Sequence, residues 1–235
     1  MEVMRYYLFY NYKLMKIKNW DAYLWDCLEI MDNLIEQWVQ VDAIITDPPY
    51  WMKYISSRRN IKHKKIIWDD STDMQLFFDK SFLLLKENTH IYCFCNEYCI
   101  WPFREQLINS WFNIKRMLVW KKNNHTSWDL LWDYANQTEY ILFAHKGRKL
   151  LNWWRDRNIL EYNRVNTDKH PTAKPVDIIE YFINKSSNKW DVILDAFAWS
   201  FTTAVACENT NRKRICIEKD EWYYNIWIKR VNGDN

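Results

Sequence analysis

Val41-Asp42-Ala43-Ile44-Ile45-Thr46-Asp47-Pro48-Pro49-Tyr50 is the stretch whose reading decides the fold. Val41 to Ile45 are apolar at all but one position, the pattern of a strand covered on both faces in a parallel sheet. Pro48 and Pro49 stop the ladder, because neither has an N–H to donate and each fixes its own φ. In an open α/β sheet, ligands bind beyond the carboxyl ends of the strands, so Asp47 and Tyr50 stand where chemistry is expected. A carboxylate, a rigid turn and an aromatic ring converge there.

Outward from this strand, apolar runs alternate with helical periodicity. On the amino-terminal side, Ile17 to Leu24 reads as a strand and Cys27 to Gln37 as an amphipathic helix, with Leu28, Met31, Leu34 and Ile35 on one face. Asp26 is well suited to cap that helix. On the carboxyl side, Ser71 or Thr72 is expected to cap a helix running to Lys86, followed by a strand at Thr89 to Cys95 and a helix to about Asn109. Ile114 to Trp120 and Glu139 to His145 read as an antiparallel terminal pair of strands. A helix at Lys174 to Ser187 carries Pro175 near its first turn. Val192 to Asp195 is a strand, Trp199 to Glu208 a loop and helix, and Arg214 to Glu218 a further strand. Glu218 ends that strand about 20 residues beyond the loop, the spacing at which a carboxylate holds ribose hydroxyls in nucleotide-binding sheets.

A chain of 235 residues is one large domain or two small ones. Its net charge of +3 sets up no strong overall field toward nucleic acid, so contact with DNA must come from a local patch. The six cysteines have no framework spacing and read as reduced, buried thiols, and Cys93, Cys95 and Cys99 lack the second ligand pair of a zinc site; no metal is expected. Met1 to Lys16 holds no apolar run long enough to span a membrane and no small-residue cleavage site, and a cytoplasmic protein without membrane attachment is expected.

DPPY at Asp47 to Tyr50 resembles the catalytic motif of the DNA amino-methyltransferases, which move a methyl group from S-adenosylmethionine to an exocyclic nitrogen of adenine or cytosine. YLWDCLEIM before it, HPTAKP at His170 to Pro175, and DVILDAFAWSFTTAVACENT with RICIEKDEWYYNI near the carboxyl end extend the resemblance from about Ile17 to Arg230. The order is similar to the permuted members, with the catalytic half before the cofactor half. The resemblance implies a Rossmann-like α/β fold, a mostly parallel seven-stranded sheet with helices on both faces, after an N-terminal extension at residues 1–16. Asp47, Pro48, Pro49 and Tyr50 become the catalytic residues, with Tyr50 stacking on a flipped base. Asp26, Thr172, Lys174, Asp195, Phe197, Ala198, Trp199, Ser200 and Glu218 become the cofactor set. DPPY is more similar to adenine-directed members than to cytosine-directed ones. Duplex DNA is the implied substrate, and an RNA or protein-glutamine acceptor is the alternative. A homodimer and a restriction endonuclease partner are left open by the sequence.

Two irregular basic stretches are expected to form the DNA-recognition surface, at residues 53–67 and within 121–170. The first carries Lys53, Arg58, Arg59, Lys62, His63, Lys64 and Lys65; the second carries Arg148, Lys149, Arg155, Arg157 and Arg164. Asn123, Asn124, His125, Asn136 and Gln137 offer groups that read base edges, although a polar loop needs no such role.

One anomaly cuts across these motifs. The chain has 2 glycines and 16 tryptophans, where ordinary usage gives roughly 16 glycines at this length. Trp20, Trp25, Trp128, Trp132 and Trp190 each precede Asp, and Trp51 follows the Pro-Pro-Tyr turn, all places suited to a turn residue. In the resembling family the cofactor loop reads much like DPFAGSGTT, which sets Trp199 on a glycine, Ala196 on a proline and Phe201 on a second glycine. A gene whose UGA codons mean glycine accounts for the exchange, with Trp120 a genuine tryptophan. The rival is a disabled, DNA-binding homologue in which Trp199 is real. A propeller of Trp-Asp repeats is excluded by their irregular spacing.

Overall fold

The computed structural model describes residues 13–16, 21–49, 74–124, 134–165 and 173–225. In chain order its elements are β1 (Lys13–Lys16), β2 (Asp21–Leu24), α1 (Cys27–Glu36), β3 (Val41–Thr46), α2 (Gln75–Leu84), β4 (Leu85–Cys95), α3 (Ile100–Asn109), β5 (Asn113–Lys121), β6 (Thr138–Lys146), β7 (Ile159–Glu161), α4 (Val176–Ser186), β8 (Val192–Asp195), α5 (Thr202–Thr210) and β9 (Lys213–Glu218). The strands form one sheet in the order β1-β2-β9-β8-β3-β4-β6-β5-β7. The run β2-β9-β8-β3-β4 is parallel throughout, and β6 is antiparallel to both β4 and β5.

All seven strands expected from the sequence are present, and two short edge strands extend them among the described residues. β1 lies within the expected N-terminal extension and pairs antiparallel with β2. β7 lies in a stretch read as irregular and pairs parallel with β5, so the β5–β6 pair is not terminal. The helix expected from Ser71 or Thr72 starts at Gln75; those two residues lie outside the described ones, and the Met74 N–H donates to Gln106 Oε1 at 3.0 Å.

Side chains alternate across the sheet as the pleat requires. Ile44, Ile91, Cys93, Leu142, Leu194 and Ile217 face a core shared with α1, α2 and α3. Ala43, Ile45, Tyr92, Phe94, Ile141 and Ile193 face a second core under α4 and α5. Asp42, the one polar residue in the apolar run, works as a register pin: it accepts from the Val192 N–H at 2.9 Å and pairs with Lys86 at 2.7 Å. All six cysteines are buried and free. No helix among the described residues is long and apolar enough to cross a membrane.

β3 and β8 are direct neighbours. From β8 the chain crosses to β9 on one side, and from β3 it crosses to β4 on the other. Their carboxyl ends therefore flank the topological switch point, where such sheets form a crevice.

Candidate active site

The crevice is built from the segments that leave β3 and β8, with Phe94 of β4 and Lys174; Glu218 and Asp26 do not line it, and Glu218 reaches its wall only through the Trp199 N–H. Asp47 follows β3 directly, and the two prolines turn the chain away before it can extend the ladder. Asp195 ends β8 and Glu218 ends β9. Asp47, Asp195, Phe197, Ala198, Trp199 and Ser200, with Lys174, line one cleft. Pro48 and Pro49 are buried. Tyr50 and Thr172 lie outside the described residues, as do the basic stretch at 53–67 and His125.

Lys174 is the feature that most changes the reading of the site. Assigned by resemblance to the cofactor set, it lines the cleft and also reaches Asp47: Nζ donates to Asp47 Oδ2 at 2.5 Å and stands 3.3 Å from Glu139 Oε2. Its ammonium also lies over the Phe94 ring at 5.2 Å. Burial alone would lower the Lys174 pKa, but the Asp47 and Glu139 charges outweigh it and hold the value above normal. Glu139 is in turn paired with Lys122 at 2.7 Å. Burial pushes the Glu139 carboxyl up, and the two lysines more than reverse this, leaving it below the usual range. Charges thus alternate from Lys122 through Glu139 and Lys174 to Asp47, and each buried ion has an opposite neighbour. Such a chain fixes the Asp47 carboxylate in place while leaving its side chain partly open to the cleft, at 20% exposure.

Glu139 and Lys122 were not legible as site residues. A lone acid at the start of an apolar strand carries no motif, and its partner Lys174 arrives from the segment just before α4. Thr46 was also missed: its Oγ1 is buried on the cleft wall with no hydrogen-bond partner among the described residues.

The other carboxylates stand at or just beyond the ends of β2, β8 and β9. Glu218 is buried; its Oε2 accepts the Trp199 N–H at 2.8 Å and its Oε1 accepts the Asp220 N–H at 2.7 Å. Burial pushes its pKa up to about 7. Asp195 is likewise raised to about 7 by burial, with Thr203 and the Phe197 N–H hydrogen-bonded to it. Asp26 does cap α1, its Oδ1 accepting the Leu28 N–H at 2.9 Å, while its Oδ2 accepts from Lys219 Nζ at 3.0 Å beside the end of β9. Ala198 is held to β9 through its N–H on the Ile217 carbonyl at 2.9 Å, and Phe197 packs edge-on against Phe77. The Ser200 and Thr202 hydroxyls bond each other at 2.8 Å.

Residue 199 is where the fit to a nucleoside cofactor fails. The Trp199 backbone N–H is on Glu218, while its indole Nε1–H donates to the Asp47 carbonyl at 2.8 Å. The indole therefore lies across the gap between β9 and the end of β3. On the Asp47, Lys174 and Asp195 side of the indole the cleft keeps about 20 Å³, room for a water. The carboxylates suit the cofactor, and the indole does not.

Comparison with known proteins identifies the family. The family model described as DNA methylase, for N6 and N4 amino-methyltransferases, matches residues 41–229. A type II methyltransferase of Moraxella bovis, M2.MboI, is 24% identical over 92% of this chain and 88% of its own. Among solved structures, the M1.HpyAVI–SAM complex is 28% identical, with a TM-score of 0.71 over 89% of this chain and 98% of that one. The cytosine-N4-specific PvuII DNA methyltransferase, 15% identical, shares the fold with a TM-score of 0.70 over 93% of this chain and 94% of its own. With the match running from the first residue of β3 to beyond β9, the chain belongs to the DNA methylase family of N6/N4 amino-methyltransferases.

Proposed function

We propose that this protein methylates the exocyclic N6 amino group of adenine in duplex DNA, with S-adenosylmethionine as the methyl donor. The observation that carries the reading is the Asp47 carboxylate, open to the cleft at the switch point and backed by the buried Lys174 ammonium. An exocyclic amine is a poor nucleophile because its lone pair is delocalised into the ring. Hydrogen bonds from its two N–H groups to the Asp47 carboxylate and the Pro48 carbonyl draw the nitrogen toward tetrahedral geometry and stabilise the positive charge that grows on it. The proton lost afterwards leaves toward the same carboxylate side. When bound, S-adenosylmethionine supplies an electrophilic sulfonium methyl. The base must leave the duplex stack for its amine to reach Asp47, and Tyr50, adjoining the Pro-Pro turn, is its stacking partner in this reading. The preference for adenine over cytosine rests on Asp as the first residue of the motif. Holding the duplex is assigned to the basic stretches at 53–67 and 121–170.

The direct test of roles is Asp47→Ala, made in protein bearing glycine at 199. Methyl transfer to duplex DNA is expected to be lost with the S-adenosylmethionine affinity unchanged, and loss of both together counts against a catalytic Asp47. Duplex DNA, RNA and a glutamine-containing protein offered in competition separate the acceptor classes. A second reading, an inactive DNA-binding homologue, is favoured by the indole in the cleft; stoichiometric binding of DNA without turnover by the protein from its native host identifies it.

A further inference from the structure

We infer that residues 38, 111, 190 and 199 are glycines in the native protein, their codons being UGA read as glycine, and that glycine at 199 opens the cleft between Glu218 and Asp47 to the adenosyl cofactor. The inference goes beyond the adenine reading and does not depend on it.

The backbone carries the case. Among the described residues, seven that are not glycine have φ in the left-handed region, and four of them are Trp38 (57°), Trp111 (69°), Trp190 (73°) and Trp199 (37°). That region is nearly closed to a residue with a bulky Cβ substituent and is the ordinary home of glycine. Two of the remaining three are asparagines, the next most tolerant type.

Each position is also a place where a glycine has a defined job. After α1, the Trp38 N–H donates to the Ile35 carbonyl at 2.9 Å and the Val39 N–H to the Leu34 carbonyl at 2.9 Å. After α3, the Trp111 N–H donates to Ile108 at 3.0 Å and the Phe112 N–H to Leu107 at 3.0 Å. Both are Schellman caps with tryptophan at the left-handed position, which glycine or asparagine normally fills. The same motif closes α5, and there the residue is Asn211, with its N–H on Glu208 and the Arg212 N–H on Cys207. Trp190 is the third residue of a turn closed by the Asp191 N–H on the Asn188 carbonyl at 3.2 Å, the position where a type II turn takes glycine. Trp38, Trp111 and Trp190 are 91%, 83% and 65% exposed, so little packing offsets their backbones.

Two aromatic residues show the contrast. Trp120 is 1% exposed and its Nε1–H donates to the Tyr162 carbonyl at 2.8 Å, the environment of a genuine tryptophan. Phe201, also left-handed, is fully buried and packs edge-on against Tyr224; its codons are unrelated to UGA, and it stays phenylalanine.

The test is peptide mass spectrometry of the protein isolated from its native host. Glycine is expected at 190 and 199 in the peptide from residue 190 to Arg212, glycine at 111 in the peptide Glu105 to Lys115, and tryptophan at 120 in the peptide Met117 to Lys121. Tryptophan at 190 and 199 overturns the inference. A second measurement isolates the cleft: titration calorimetry with S-adenosylmethionine on the tryptophan-bearing chain and on W199G. Binding by W199G with none measurable for the tryptophan chain is expected; equal affinities overturn the obstruction.

Discussion

Replacing Trp38 and Trp111 by glycine should stabilise the protein, although each change deletes one of its largest side chains. A left-handed backbone costs a residue with a Cβ roughly 1–2 kcal/mol. Glycine's greater freedom in the unfolded chain takes back roughly 0.5–1 kcal/mol of what is relieved. With Trp38 and Trp111 91% and 83% exposed, little burial is lost. The net gain is about 0.5–1 kcal/mol at each site. The two caps share no hydrogen-bond partner, so W38G/W111G should gain about 1–2 kcal/mol by addition. For a domain of this size that is a rise in Tm of roughly 2–8 °C. W120G is the opposite case: it removes a buried indole and leaves the Tyr162 carbonyl without that donor, at a cost of about 3–5 kcal/mol or more. Thermal unfolding of the three proteins, followed by circular dichroism at one scan rate, reads both signs. A double variant that melts at or below the parent temperature would show that residues 38 and 111 are not strained, and the cap reasoning would be wrong.

Other consequences are as specific, the rate prediction in protein bearing glycine at 199 and the two stability predictions in the tryptophan-bearing chain, where the burial of Glu218 and Lys174 is described. Asp47→Asn keeps the size of the side chain but removes the charge that the transition state needs, and the methylation rate should drop at least about 100-fold with cofactor affinity unchanged in calorimetry. Lys174→Met leaves the Asp47 and Glu139 carboxylates facing one another without the ammonium between them; the denaturant midpoint should report a loss of about 3–5 kcal/mol. Full stability in that variant would mean the pairing is not formed. Glu218→Gln tests the raised carboxyl. Because Glu218 holds its proton up to about 7 in the folded chain against 4.5 ordinarily, the folded state binds more protons between those values. Its contribution is therefore full below pH 4.5 and is lost as pH rises through about 7, and Glu218→Gln should flatten that fall. An unchanged slope would show that Glu218 is not buried as described.

The fold was largely legible because its strands are apolar runs bounded by turn residues, and because Pro48 and Pro49 mark where the catalytic strand ends. β1 and β7 were not, since Lys13–Lys16 and Ile159–Glu161 are too short to show a period and form only by pairing with an existing edge. Glu218, Asp195 and the loop between them follow from local order, strand then loop then strand. The ion chain does not: Lys174 meets Asp47 across 127 residues, and Glu139 reaches Lys174 only because β6 runs antiparallel beside β4. No local pattern encodes a contact of that kind. The helix caps after α1 and α3 were hidden for another reason. Glycine just past a helical run is the plainest stop signal a chain offers, and tryptophan in its place erases it.

The measurement that bears most directly on the function is nucleoside analysis of unmethylated duplex DNA after incubation with S-adenosylmethionine and the glycine-199 protein, with its Asp47→Ala counterpart alongside. The expected result is N6-methyladenine with the first protein and none with the second. N4-methylcytosine in its place would overturn the choice of base, and methylation that survives Asp47→Ala would contradict the site itself.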